Sequence, residues 1–184
     1  MLNIGKRAVS VELVDNLTGG KPLQKTVVEL FSDDETIKVT FECSENYYSS
    51  VGRDYNDTLW MGDIVEIMIT LGSLNRYLEI EVNPDGVLYA VLIDNIDLRG
   101  NILIKKIDKA PFSANTLKTD TVWTAHIAIP LKSLKALDWN LRDSKINIYR
   151  QDFRPNGELV LYAYSPTFCE KFHIPSSFVS LNLK

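Results

Sequence analysis

Three residues in the segment DTLWMGDIVEIMI (57–69) could together hold a polar ligand: Trp60, Asp63 and Glu66. Glu66 is out of place, because from Ile64 onward the run otherwise reads as an apolar strand. A carboxylate shielded from water must find donors, since burying it unpaired costs several kcal/mol. Those donors could be protein cations, with Arg150 and Arg76 as candidates, or the hydroxyls of a bound sugar. A sugar presents an apolar C–H face to a ring such as Trp60 and a rim of hydroxyls to a carboxylate. Two-carboxylate hydrolysis fits the spacing poorly. Residues three apart on a strand face opposite ways, so Asp63 and Glu66 could not flank one glycosidic bond. The two histidines, His126 and His173, form no recognisable Ser-His-Asp grouping.

The elements that must position these residues are strands. Period-two alternation rich in Val, Ile, Tyr and Phe dominates the chain. It predicts strands at 26–31, 36–43, 63–71, 76–83, 87–93, 101–107, 122–129, 145–152, 158–165 and 178–183. The acidic SDDE segment (32–35) suits a tight turn, and Asn83-Pro84-Asp85-Gly86 is a strong turn signal. Only PLKSLKAL (130–137) reads as a helix, with Pro130 at its first turn. The pattern predicts an all-β fold, an antiparallel, jelly-roll-like β-sandwich with one short helix, formed by one domain over 1–184.

Alternation also assigns faces. Val65, Ile67 and Ile69 share one face of their strand, and Ile64, Glu66 and Met68 the other. In the next strand Leu78, Ile80 and Val82 oppose Tyr77, Glu79, Glu81 and Asn83. If both apolar faces enter one core, Glu66 lies beside the polar face of its neighbour, and the result is a polar patch on a rigid sheet.

Composition narrows the partners. The chain has 184 residues, with 20 Lys and Arg against 24 Asp and Glu, giving a net charge of −4. The basic residues are dispersed, which argues against a nucleic-acid groove. No apolar run reaches membrane-spanning length. The start lacks the basic and apolar regions of a secretory signal, which points to a cytoplasmic protein or a fragment of a longer secreted enzyme. Cys43 and Cys169 lack metal-site spacing and read as free thiols.

The order of motifs extends further: W-x-x-D-x-V-E (Trp60 to Glu66), then Y-x-E-x-x-V-N-P-x-G (Tyr77 to Gly86) and W-x-x-x-I-x-I-P (Trp123 to Pro130). I-N-I-Y-R-x-D (Ile146 to Asp152), Y-S-P (Tyr164 to Pro166) and F-H-x-P-x-x-F-x-x-L-x-L (Phe172 to Leu183) follow. Together, over roughly residues 26 to 184, the chain resembles the family 9 carbohydrate-binding modules of the DOMON-like sandwiches. The resemblance implies a non-catalytic module that binds a mono- or oligosaccharide, such as a chain end of a glucan or xylan, with no cofactor. It implies that Trp60 is one aromatic wall, that Phe172 stands where the family has a second tryptophan, and that Glu66 accepts from sugar hydroxyls, with Asp63 as the acidic residue between. Glu81 stands where the family has an arginine, and Tyr149 where it has a glutamine. With Arg150, these are secondary candidates for ligand contact.

Other readings stay open. Some members hold structural calcium, for which Asp33, Asp34 and Glu35 could supply oxygens. Some relatives bind haem, for which Met61, Met68 and His173 are candidates. A stand-alone cytoplasmic sandwich binding another small ligand or a protein partner is the main alternative.

Overall fold

The computed structural model describes residues 1–107 and 111–184. Its elements run in chain order β1 (Leu2–Ile4), β2 (Val9–Glu12), β3 (Val14–Asp15), β4 (Thr26–Ser32), β5 (Thr36–Ser44), β6 (Ile64–Ser73) and β7 (Arg76–Val82). There follow β8 (Leu88–Asn95), β9 (Ile102–Lys106), β10 (Ser113–Lys118), β11 (Val122–Pro130), α1 (Leu131–Ala136), β12 (Lys145–Phe153), β13 (Leu159–Ala163) and β14 (Val179–Leu183). The fold is an all-β sandwich. One sheet has the order β1-β14-β12-β6-β7-β8-β9, with β13 pairing β12 and β3. The other has the order β10-β11-β5-β4-β2. Pairing is antiparallel except between β1 and β14, which run parallel.

All ten expected strands are present, with ends displaced by a residue or two. Four more were not expected: β1, β2, β3 and β10. β1 and β3 have three and two residues, too few to display a period. β10, SANTLK, is mostly exposed and owes its extension to pairing along β11. Tertiary pairing supplies what propensity does not.

The face assignment holds. Val65, Ile67 and Ile69 of β6 and Leu78, Ile80 and Val82 of β7 belong to the main core with Val39, Phe41, Trp123 and Ile127 of the facing sheet. Each such burial contributes about 1.5–3 kcal/mol. On the outer face, Ile64, Met68, Tyr77, Tyr89, Val91 and Tyr149 join a second cluster. The larger sheet is therefore covered on both sides, and its outer cover is where the polar patch lies. Cys43 is buried, Cys169 is half-buried, and both are free.

Two turns behave as their residues require. Gly86 has φ of 80°, and its N–H donates to the Asn83 carbonyl at 3.0 Å. Asp33 accepts from the Glu35 and Thr36 amides at 2.9 and 2.7 Å and pairs with Lys38, while Asp34 pairs with Lys6. Those amides hold the Asp33 carboxyl below its ordinary range. The acidic turn considered for calcium is thus engaged in closing itself. No helix among the described residues is long and apolar enough to cross a membrane.

Candidate functional site

Three carboxylates meet on the outer face of the larger sheet. Glu66 of β6 lies in register with Glu81 of β7, and Glu79 stands two residues along β7 on the same face. One oxygen from each falls within 4.8 Å of the others. All three are buried, at 2, 4 and 3% exposure for Glu66, Glu79 and Glu81, yet all line one hollow of about 420 Å³. Sites for small ligands span roughly 300–1,000 Å³.

Neither expected cation reaches them. Arg150 follows Tyr149 along β12, and the two-residue period turns it to the opposite face. There it is fully buried, donating to Glu45 at 2.9 Å, Thr26 Oγ1 at 3.0 Å and the Ser44 carbonyl at 3.2 Å. It also pairs with Asp152 at 3.7 Å. Arg76 is exposed and lies 4.0 Å from Asp94. Among the described residues no ion pair involves Glu66, Glu79 or Glu81, and the Glu81 Oε2 atom has no hydrogen-bond partner.

Burial is the largest influence on all three groups, although at Glu79 a hydrogen bond with Glu81 works in the opposite direction. It pushes the Glu79 carboxyl up to about 7. Burial first, and then repulsion from Glu79, raises Glu66 and Glu81 well above the usual glutamate range. Like charges this close cannot all ionise cheaply.

Trp60 forms one wall. It sits in the loop before β6, 39% exposed, with its ring edge-on to Tyr89 at 5.4 Å between centroids. Its neighbour Leu59 is fully buried and anchors the loop in the outer cluster. Gln151 Nε2 donates to the Trp60 and Gly62 carbonyls at 2.6 and 2.9 Å. Gly62 passes so close to the Ser49 carbonyl that a Cβ there would collide with it. Asp63 does not face the hollow. Its carboxylate accepts from the Ser49 amide and the Phe153 amide, each at 2.7 Å, and so fastens the loop to β12. Burial raises its carboxyl to about 6 despite those two donors.

Phe172 forms the other wall, from the segment between β13 and β14. Its ring stacks on Tyr149 at 4.2 Å and 18° between planes, and its carbonyl accepts from the Tyr149 hydroxyl at 3.0 Å. Asn147 in turn donates to that hydroxyl at 2.7 Å and to the Ser165 carbonyl at 2.8 Å. Tyr149 is thus covered by Phe172 instead of lining the hollow. Next to it, Asn95 donates to the Tyr77 hydroxyl at 3.0 Å, and that hydroxyl shares a hydrogen bond of 2.9 Å with His173 Nδ1. Burial lowers the His173 pKa to about 4, which favours the neutral ring.

Of the sequence candidates, the structure brings together Trp60, Glu66, Glu81 and Phe172; Asp63, Tyr149 and Arg150 serve behind or away from the hollow. The residues missed are Gln151 and Tyr89, with Glu79 seen only as a member of a polar face. Gln151 lies two residues from Tyr149 and shares its face, so parity alone could have found it. The methionines considered for haem are separated from this opening. Met68 is fully buried under the sheet's outer cover, and Met61 is exposed outside the lining.

Solved structures share this architecture. A carbohydrate-binding module of family 9 from Caldicellulosiruptor kristjanssonii, in complex with glucose, aligns over 100% of this chain and 95% of its own, with a TM-score of 0.67 and 12% identity. The chain has the family 9 carbohydrate-binding module fold. The same kind of module in complex with cellotriose aligns over 100% of this chain and 93% of its own, with a TM-score of 0.65 and 12% identity. A Bacteroides uniformis protein provisionally described as carbohydrate-binding aligns over 96% of this chain and 86% of its own, with a TM-score of 0.75 and 17% identity. By sequence, neither a family model nor a curated protein matches the chain.

Glu81 places an acceptor, not a cation, in register with Glu66. Tyr149 sets a ring under Phe172 and a hydroxyl that grips its carbonyl.

Proposed function

We propose that residues 1–184 form one non-catalytic carbohydrate-binding module, which takes a mono- or oligosaccharide into the hollow between Trp60 and Phe172. The observation that carries this is the shared opening: Trp60, Phe172 and Glu66 all line it, although Phe172 comes from a part of the chain remote from the other two. A pyranose could lie on the exposed Trp60 ring while its hydroxyls reach the carboxylates and Gln151. The glucose and cellotriose complexes of the family 9 structures support the same class of ligand. The carboxylates favour binding over hydrolysis. They stand side by side on one floor, whereas a glycosidase sets its acid and nucleophile on either side of the scissile bond. The acidic balance of charge disfavours nucleic acid as a partner.

Affinity is modest in this reading, because an open hollow leaves much of the ligand in water and ordering it costs entropy. Calorimetric titration with mono- and oligosaccharides of the gluco and xylo series tests it. Saturable heats that vanish in Trp60→Ala are expected. Heats unchanged in that variant, or none with any saccharide, would overturn it.

A further inference from the structure

We propose that the hollow is built for a saccharide carrying a protonated amine, with the ammonium among Glu66, Glu79 and Glu81 and the sugar ring on Trp60. The inference rests on the saccharide reading above and names the chemical class that the floor selects.

The first ground is an unanswered charge requirement. The titratable groups around the trio are Tyr77 on the same strand as Glu79, Tyr89 on β8, Tyr149 on β12, and Glu170, Lys171 and His173 from the loop after β13. The three phenols are raised by burial and stay uncharged, His173 is neutral, and Glu170 and Lys171 are exposed residues of opposite sign. None supplies a counter-ion to the floor. The buried Glu81 Oε2 has no hydrogen-bond partner, and its residue lines the hollow: it is an acceptor that a ligand's donor would satisfy.

The second ground is geometry. Three oxygens within 4.8 Å of one another have a common centre no more than about 2.8 Å from each (the limit divided by √3), within reach of charge-assisted N–H···O bonds. An ammonium has three N–H donors, one for each carboxylate. A calcium ion prefers oxygens at roughly 2.3–2.6 Å and six to eight of them. The rest of the lining offers few: Trp60, Tyr89, Ile64, Ile102, Ile104 and Leu161 give rings and hydrocarbon. That lining suits a cation attached to a body with an apolar face, since the aromatic rings also attract a cation above them. A neutral sugar brings hydroxyl donors to the trio but no charge.

The test compares D-glucosamine, glucose and N-acetylglucosamine by calorimetry at about pH 6.5, where an amine of this kind is protonated. Acetylation removes the charge and keeps the ring. Glucosamine is expected to bind at least about tenfold more tightly than either neutral sugar. It should also release protons from the carboxyls, seen as heats that change with the ionisation enthalpy of the buffer. Glu81→Gln and Glu66→Gln, checked for folding by circular dichroism, should abolish the preference for glucosamine over glucose. If glucose or N-acetylglucosamine binds as tightly as glucosamine in a Trp60-dependent way, the cationic proposal falls and the module reading stands. If no saccharide binds, both fall. Calcium chloride titrated alone gives the last arm: saturation by calcium, lost in Glu81→Gln and without glucosamine preference, replaces the proposal with a metal site.

Discussion

Glu66 and Glu81 face each other in register across β6 and β7, both buried, with no cation between them. A like-charged pair directly opposed on a sheet destabilises it, and Glu79 adds a third carboxyl to the same spot. The protein therefore carries at its floor a strain that protonation or a ligand relieves. Sites tuned for function commonly accept such a cost.

That strain gives stability a pH dependence whose sign can be worked out. The ordinary glutamate value is 4.5, and in the fold Glu79 rises to about 7 while Glu66 and Glu81 rise well above 4.5. Between those values the folded chain holds protons that the unfolded chain has released. Stability is thus lost as pH rises through the window from 4.5 to about 7, and for Glu66 and Glu81 beyond it. Asp63, raised to about 6, contributes with the same sign, while His173, lowered from 6.5 to about 4, partly offsets the four carboxyls between those values. Urea midpoints measured for the free protein across that window should fall with pH. Glu81→Gln should flatten the curve and gain about 1–3 kcal/mol at the alkaline end. A midpoint that climbs with pH would sink the uncompensated trio.

Trp60→Ala separates a binding wall from a core residue. The ring is well exposed and touches Tyr89 only by its edge. Loss of stability should stay near 1 kcal/mol, while saccharide affinity drops by more than about tenfold. A large fall in melting temperature would make Trp60 a packing residue instead.

Arg150→Ala should do the reverse. It leaves Glu45 and Asp152 in the interior with only the longer contacts of Arg154, at 3.4 and 3.5 Å, and removing one partner of a buried pair costs about 3–5 kcal/mol. Thermal unfolding should reveal that loss at neutral pH. Any protein that remains folded should keep its affinity for saccharide. A selective loss of binding would show that Arg150 reaches the ligand after all.

Tyr149→Phe keeps the ring beneath Phe172 but deletes the hydroxyl between Asn147 and the Phe172 carbonyl. The expected cost is about 1–2 kcal/mol in stability with a severalfold weakening of binding, as the wall loosens without losing area. Binding that disappears altogether would put the Tyr149 hydroxyl in direct contact with the ligand.

The sequence by itself determined the strands long enough to show their period, and the face on which Glu66, Glu79 and Glu81 lie, because side-chain parity along a strand is a local property. It also exposed Trp60 and Phe172 as candidate walls through the order of motifs. It could not decide what surrounds those residues. Whether Glu66 meets Arg150 depends on which sheet face each occupies after β6 and β12 pair, and they fall on opposite sides. Whether Trp60 overhangs the floor depends on long-range fastenings, Asp63 to the Phe153 amide and Gln151 to the Trp60 carbonyl. Loops carry no period, so contacts between distant segments set their course. Tertiary structure alone turned a polar stripe into an acidic hollow, because burial and the absence of a partner arise only when the strands and loops assemble.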